Sequence, residues 1–220
     1  MRTDMPGGRH RSQEGLAMLE EYNILISSIG GQGGVTLARV ISRAAFTQGY
    51  RVREGETLGM AQRGGSVESH VRFGERVYGP LIPYGSCDTL LSLEPAEALR
   101  ASRYVGRKTK AIVNTVPRLP ISVQLRQQRY PAPEEIASIL KKLMDKVYLI
   151  DAVELAEKAG SAGSMNIAVL GAYMALEGHI LKIDAVKEAM ATSLPSRFKK
   201  QNTLAFELGL ERMKELMEKG

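Results

Sequence analysis

Four glycines follow an apolar run near the start of the chain, and this combination indicates a backbone that can bind an anion. Residues 24–29 are the apolar run, and a stretch free of Gly and Pro follows the glycines. The pattern predicts a strand, a tight turn and a helix. Glycines at such a turn let backbone N–H groups approach a ligand, and the helix N-terminus adds positive potential. The candidate cofactor-binding residues of this turn are Gly30, Gly31, Gln32, Gly33, Gly34 and Val35.

The turn matches the dinucleotide-binding fingerprint G-x-G-x-x-G only in part. Gly31 and Gly33 supply the first two glycines, but Thr36 stands in the third position. Glu54 follows at roughly the spacing of the carboxylate that binds a ribose. A P-loop is excluded, because no Lys-Ser or Lys-Thr pair follows the glycines. Nucleotide binding, tight packing of a helix on the sheet, and close approach of a partner chain all stay open.

A second glycine-containing loop adds a cationic side chain to the candidate site. The planar Arg63 guanidinium can bind a phosphate or a carboxylate through two parallel hydrogen bonds. The adjacent glycines allow a ligand to approach the backbone. The alternative interpretation is a glycine-built turn with a solvated arginine. The candidate cofactor-binding residues of this loop are Gln62, Arg63, Gly64 and Gly65.

The sequence contains no set of residues for metal binding or acid–base catalysis. Cys87 is the single cysteine, whereas an iron–sulfur cluster usually takes four, and the three histidines are far apart in sequence. We therefore predict no catalytic residue and no metal ligand in this chain. We interpret Cys87 as a small buried residue, and the lack of disulfides favours a reducing cytoplasm.

The positive net charge of +6 comes from one basic segment. Residues 100–129 hold eight Lys and Arg residues and no Asp or Glu. Such a segment can attract an acidic partner, bind phosphates or contact nucleic acid, or it can be a solvated surface around an interior strand. An aromatic content of 5% argues against stacking on single-stranded nucleic acid, so we expect no nucleic-acid partner.

Strands and helices alternate along most of the chain, which predicts an α/β fold. We expect a mainly parallel twisted sheet with helices on both faces, some antiparallel pairing over 66–78, and a helical C-terminal part. The second strand is predicted over 50–54, with a glycine-rich loop over 55–65. Residues 1–22 are predicted to be a flexible extension and 23–220 a single domain. No apolar run is long enough to cross a membrane.

Two asparagines near the starts of late apolar helices are interpreted as caps or loop-bonding residues. Asn166 and Asn202 have the side chain that often binds free N–H groups at a helix start. The alternative is that either amide binds a partner chain.

Four segments, in this order, resemble the γ-type subunits and domains of the 2-oxoacid:ferredoxin oxidoreductases. They are residues 29–35, 55–73, 166–172 and 201–209. Within that family, residues 57–65 are most similar to the β subunits of the indolepyruvate ferredoxin oxidoreductases. The resemblance extends from about residue 23 to about residue 209.

The resemblance implies that the work is divided between subunits. A large α subunit carries thiamine diphosphate, its Mg ion and the iron–sulfur clusters, and this chain alone binds none of them. The complex oxidatively decarboxylates aryl pyruvates with coenzyme A (CoA) and yields acyl-CoA, CO2 and reduced ferredoxin. A role near CoA is implied for the glycine turn and the loop 62–65. Pairing of the chain with itself stays open.

A free-standing NAD(P)-dependent oxidoreductase is the competing hypothesis. It rests on the partial fingerprint and on Glu54. Thr36 at the third fingerprint position argues against it, as does the lack of a recognisable His or Lys pair for a substrate.

Overall fold

A six-stranded sheet forms the centre of the computed structural model, which describes residues 19–59, 64–119, 123 and 129–219. The strands are β1 Tyr22–Ile29, β2 Arg51–Leu58, β3 Ser66–Gly74, β4 Thr89–Ser92, β5 Lys110–Asn114 and β6 Lys146–Ile150. The helices are α1 Gly34–Thr47, α2 Pro95–Arg100, α3 Pro133–Leu143, α4 Ala152–Lys158, α5 Met165–Tyr173, α6 Ile183–Ser193 and α7 Lys199–Glu218. Three short 3-10 turns lie at Ala101–Arg103, Ala162–Ser164 and Ser196–Phe198.

The strand order is β2-β3-β1-β4-β5-β6. Strands β1, β4, β5 and β6 run parallel to one another, whereas β3 pairs antiparallel with both β1 and β2. The predicted fold class is therefore confirmed, including the antiparallel pairing of the third strand.

Both faces of the sheet are covered, because successive side chains of a strand point to opposite faces. Ile24 and Ile26 of β1 belong to a large core that includes side chains of α1 and α4–α7. Leu25, between them, belongs to a smaller core that includes side chains of α2 and α3. No helix in the described part of the chain is long and apolar enough to cross a membrane.

The second strand is longer than predicted. We expected it to end at residue 54, but β2 continues to Leu58, so the loop prediction was wrong for residues 55–58. We predicted a loop from Gly55 onward because a glycine usually weakens a strand. Here it pairs with His70, and a Cβ at Gly55 would lie 2.8 Å from Pro80 Cβ. The glycine makes room for the segment that covers this face of the sheet.

The strand order also separates Glu54 from the glycine turn. In a dinucleotide-binding fold the first two strands are neighbours, but here β3 lies between β1 and β2. Glu54 pairs with Val71, which pairs with Ile24 near the start of β1. The turn follows the other end of that strand, which is about 17 Å from Ile24 at the usual rise of about 3.3 Å per residue. The fingerprint interpretation of Glu54 was wrong.

Helices α5 and α7 cross at van der Waals contact through two glycines. A Cβ at Gly171 would lie 2.8 Å from the carbonyl carbon of Phe206, and a Cβ at Gly209 would lie 2.7 Å from that of Ala168. Gly171 and Gly209 lie in the segments 166–172 and 201–209, which carry part of the family resemblance, and their role in this fold is to let the two helices pack closely.

Candidate functional site

A cleft of about 530 Å³ lies at the carboxyl ends of β1 and β5. From β1 the chain passes through α1 toward β2 and β3, and from β4 it passes through α2 toward β5 on the other side. The carboxyl ends of β1 and β4 therefore form a topological switch point, where open α/β sheets usually bind ligands. The wall opposite the glycine turn is the start of α5 and the segment between α6 and α7.

Three glycines of the turn, Gly31, Gly33 and Gly34, have two different roles. Gly31 has φ +94°, is exposed, and lines the cleft. Gly33 has φ +83° at the cap position of α1, and a Cβ there would lie 2.5 Å from Asn166 Nδ2. A Cβ at Gly34 would overlap the Ser28 side chain. Gly31 is thus the residue open to a ligand, whereas Gly33 and Gly34 allow tight packing.

The Gln32 side chain holds two strand ends together. Its Oε1 accepts from the Ile29 N–H at 2.8 Å, and its Nε2 donates to the Leu93 carbonyl at 3.1 Å. Asn114 Nδ2 donates to the same Leu93 carbonyl. Both ends of the Gln32 amide are therefore engaged within the chain. This residue fixes the floor of the cleft, and its second Nε2 hydrogen is left for a ligand or water.

The structure brings the two predicted glycine loops together. The Gly30 N–H donates to the Gly65 carbonyl at 2.9 Å, and a Cβ at Gly30 would lie 3.4 Å from the Gly64 nitrogen. Gln62 and Arg63 lie outside the described residues. The contact of Gly30 with Gly64 and Gly65 nevertheless places the end of this loop beside the turn, as a shared site requires.

Arg118 adds a cation that was predicted only as one member of a basic segment. Its Nη1 lies 3.8 Å from the position of a Cβ at Gly31, and the side chain is exposed at the cleft. The Arg118 N–H donates to Glu94 Oε1 at 3.2 Å, and the Tyr130 hydroxyl donates to the same oxygen at 2.6 Å. Buried Glu94 thereby fixes the backbone that carries Arg118. Burial and that carboxylate raise the pKa of Tyr130.

Other arginines of the basic segment are paired with carboxylates from elsewhere in the chain. Arg103 pairs with buried Glu68 at 2.7 Å, and Arg107 pairs with Asp145 at 3.2 Å. Arg100 and Arg129 also have acidic partners. The described part of the segment therefore does not form one continuous basic surface.

The two asparagines lie in the opposite wall of the cleft, and neither caps its helix. Asn166 Nδ2 donates to the Gly33 carbonyl at 3.0 Å, and Asn202 Oδ1 accepts from Ser164 Oγ at 2.8 Å. The loop-bonding interpretation fits these contacts, and the cap interpretation was wrong. Asn166 Oδ1 and Asn202 Nδ2 form no hydrogen bond with the described residues, so each residue retains one polar atom for a ligand.

The chemistry of the lining indicates binding rather than catalysis. The described lining residues include no His, Cys, Asp or Glu, so none of them can exchange a proton near neutral pH. No group of three or more possible metal-binding residues occurs in the described ranges. Cys87 is buried away from the cleft, and burial raises its pKa to about 12.

Comparison with known proteins agrees with this fold. Residues 23–212 match the family model described as pyruvate ferredoxin/flavodoxin oxidoreductase. The indolepyruvate oxidoreductase subunit IorB of Pyrococcus horikoshii is 40% identical, covering 90% of this chain and 99% of that protein. Its namesake from Archaeoglobus fulgidus is 41% identical, covering 85% and 92%. The crystal structure of a keto/oxoacid ferredoxin oxidoreductase γ subunit from Geobacter sulfurreducens superposes with a TM-score of 0.65 at 23% identity, covering 88% and 99%.

Proposed function

We propose, starting from the fact that the chain belongs to the pyruvate ferredoxin/flavodoxin oxidoreductase family, that its complex acts on indolepyruvate and related aryl pyruvates. The chain is an accessory subunit of a ferredoxin-dependent 2-oxoacid oxidoreductase, a complex that catalyses oxidative decarboxylation with CoA. The observation that carries the substrate class is the 40% identity over nearly the full length of an indolepyruvate oxidoreductase subunit.

The partner in this proposal is a large subunit that carries thiamine diphosphate, Mg and the iron–sulfur clusters and passes electrons to ferredoxin. These groups supply the decarboxylation and electron-transfer chemistry. The residues of this chain support such a division of work between subunits. Its described residues include one cysteine, which is buried, and a cleft whose described lining has no acid–base side chains. What this chain contributes is a shaped surface and a binding cleft.

The ligand proposed for the cleft is an anionic part of CoA. Gly31 and the start of α1 present backbone N–H groups, and Arg118 adds a positive charge beside them. In this proposal Gly30, Gly31 and the loop 62–65 contact the ligand, and Val35 belongs to the first helical turn beside it. Gln32, Gly33 and Gly34 hold the turn in place through the contacts described above.

A free-standing NAD(P)-dependent enzyme is not favoured. Glu54 is separated from the glycine turn by an intervening strand, so it cannot supply the carboxylate that such an enzyme needs there for the ribose. Membership of a family of multi-subunit oxidoreductases argues in the same direction.

The substrate proposal is tested by steady-state kinetics of the purified complex, with indolepyruvate, phenylpyruvate and pyruvate as competing substrates. We expect kcat/KM for the two aryl pyruvates to exceed that for pyruvate by about a hundredfold or more. Equal or higher kcat/KM for pyruvate would contradict the aryl-pyruvate proposal and would leave the role as an accessory subunit intact.

A further inference from the structure

The outer edge of β2 is unpaired within the described part of the chain. β2 is the terminal strand of the sheet, and the Gly59 N–H donates to the Ser66 carbonyl at 2.9 Å. Because antiparallel pairs alternate, the odd-numbered residues of β2 bond to β3 and the even-numbered residues point their backbone groups outward. The outward residues are Val52, Glu54, Glu56 and Leu58. Such an edge is a template for another strand.

One face of this edge carries uncompensated positive charge. Arg53 pairs directly with Arg72 of β3, so their side chains share a face, and like charges in that position repel. The Arg72 charge is neutralised by Glu21 at 2.7 Å. Among the described residues, no carboxylate forms an ion pair with exposed Arg53 or with exposed Arg51 two residues earlier. Both charges are therefore available to an acidic partner.

Large apolar side chains lie exposed on both sides of the same edge. Phe46 of α1 is 70% exposed and lines a shallow groove with Val52 and Glu54. On the other face, Leu81 is 53% exposed, and its Cδ2 lies 3.9 Å from the position of a Cβ at Gly55. Apolar side chains flanked by arginines are the usual composition of a protein interface.

The charge pattern argues against two other occupants of the edge. In a two-fold antiparallel pair of β2 strands, the odd-numbered residues of both copies share one face, so all the arginines of the two strands would crowd one face and all the glutamates the other. The chain's own residues 1–18 precede Leu19, whose carbonyl accepts from the Glu75 N–H near the start of β2. That segment holds more arginines than carboxylates, which does not suit the arginine face.

We propose that the outer edge of β2 binds an extended segment of the large subunit by strand addition, with acidic side chains of that segment on Arg51 and Arg53. The inference rests on the proposed function, because it requires a large partner subunit. Backbone hydrogen bonds to the outward residues supply affinity, and the charge pattern selects the partner.

The first test measures how tightly the full chain binds its co-expressed large subunit. The double variant Arg51→Glu/Arg53→Glu is compared with wild type and with Lys141→Glu/Lys142→Glu, which reverses two exposed charges on α3 beside the opposite sheet edge. We expect the β2 variant to bind about a hundredfold more weakly and the α3 variant to bind like wild type. Equal binding by all three proteins would overturn the edge proposal while leaving the accessory role intact. Failure of wild type to bind would overturn both.

A second measurement keeps the proposal testable if the β2 variant does not fold. Amide hydrogen exchange of wild type is followed residue by residue, in the full chain alone and in the complex. We expect the N–H groups of Val52, Glu54, Glu56 and Leu58 to exchange at least about tenfold more slowly in the complex only. Unchanged exchange would exclude strand addition. Protection already present in the chain alone would assign the edge to residues 1–18, or to a second copy if the mass doubles, and would also overturn the proposal.

Discussion

At the scale of single residues, Gly33 is the position of the glycine turn that least tolerates a side chain. Its φ of +83° disfavours any side chain, and a Cβ would lie 2.5 Å from Asn166 Nδ2. We expect Gly33→Ala to lower the free energy of unfolding by about 2–4 kcal/mol, through backbone strain and displacement of the asparagine. Urea unfolding followed by circular dichroism measures this loss.

Gly64→Ala is the matched control for that variant. Gly64 also has a positive φ, +69°, but nothing lies within 4 Å of a Cβ there. The control therefore isolates backbone strain, about 1–2 kcal/mol. An equal loss in both variants would show that the contact between Gly33 and Asn166 contributes nothing.

Arg118 is the residue whose removal separates ligand binding from stability. We expect Arg118→Ala to raise the KM of the complex for CoA about tenfold, because a charged hydrogen bond to the anion is lost. The free energy of unfolding is expected to stay within about 0.5 kcal/mol of wild type, since the side chain is exposed. Arg107→Ala, which removes an exposed arginine paired with Asp145, is the control and is expected to leave KM unchanged.

Cys87 is expected to be chemically silent in the native chain. Burial raises its pKa to about 12, and its Sγ donates to the Thr89 carbonyl at 3.1 Å. At pH 8 we expect alkylation at least about a thousandfold slower than in the urea-unfolded chain, because the thiolate is the reactive form. Since the folded pKa lies above the unfolded one, this group lowers stability as pH rises from about 9 to 12. Equal alkylation rates in both states would contradict the burial.

Sequence reasoning located the glycine turn but not the tasks within it. The prediction that Gln32 binds a cofactor did not include the second task that the structure gives its amide, the hydrogen bonds to Ile29 and Leu93. Arg118 was not singled out, because its position beside Gly31 depends on Glu94, a residue distant in sequence. Local pattern predicts where a backbone turns, whereas long-range hydrogen bonds decide which side chains stay free.

At the scale of secondary structure elements, the contact between α5 and α7 depends on the absence of two Cβ atoms. A Cβ at Gly171 or Gly209 would overlap the backbone of the facing helix. We expect either Gly→Ala variant to destabilise the fold by about 2–4 kcal/mol, because the helices must move apart. Gly79→Ala, with nothing within 4 Å and an ordinary φ, is the control and is expected to be neutral. Thermal unfolding compares the three variants, and a neutral Gly171→Ala would contradict the close crossing.

The helix after the glycine turn and the antiparallel strand within residues 66–78 were both predicted from local sequence patterns, and they correspond to α1 and β3. The end of β2 was not predicted correctly. Gly55 is needed there because it makes room for Pro80, which packs on it from another segment. Helix α7 begins at Lys199, with a polar first turn after the 3-10 turn Ser196–Phe198, so no apolar pattern marks its start.

At the scale of the whole molecule, the sheet order explains why the chain resembles a dinucleotide-binding fold without its carboxylate. Alternating strands and helices predicted the α/β class, which is confirmed. The position of antiparallel β3 between β1 and β2 depends on long-range contacts, and no local sequence pattern predicts it. That position moves β2 to the edge, where its arginines are exposed on one face, and the described lining of the cleft offers groups for binding.

The central claim, that this chain works only as part of a larger redox complex, is tested most directly by an activity measurement on reconstituted protein. CoA-dependent reduction of ferredoxin with indolepyruvate is followed for the purified chain, for the large subunit, and for the two mixed in equal amounts. We predict turnover by the mixture and no turnover by this chain alone. Ferredoxin reduction by the isolated chain at the rate of the mixture would contradict the account.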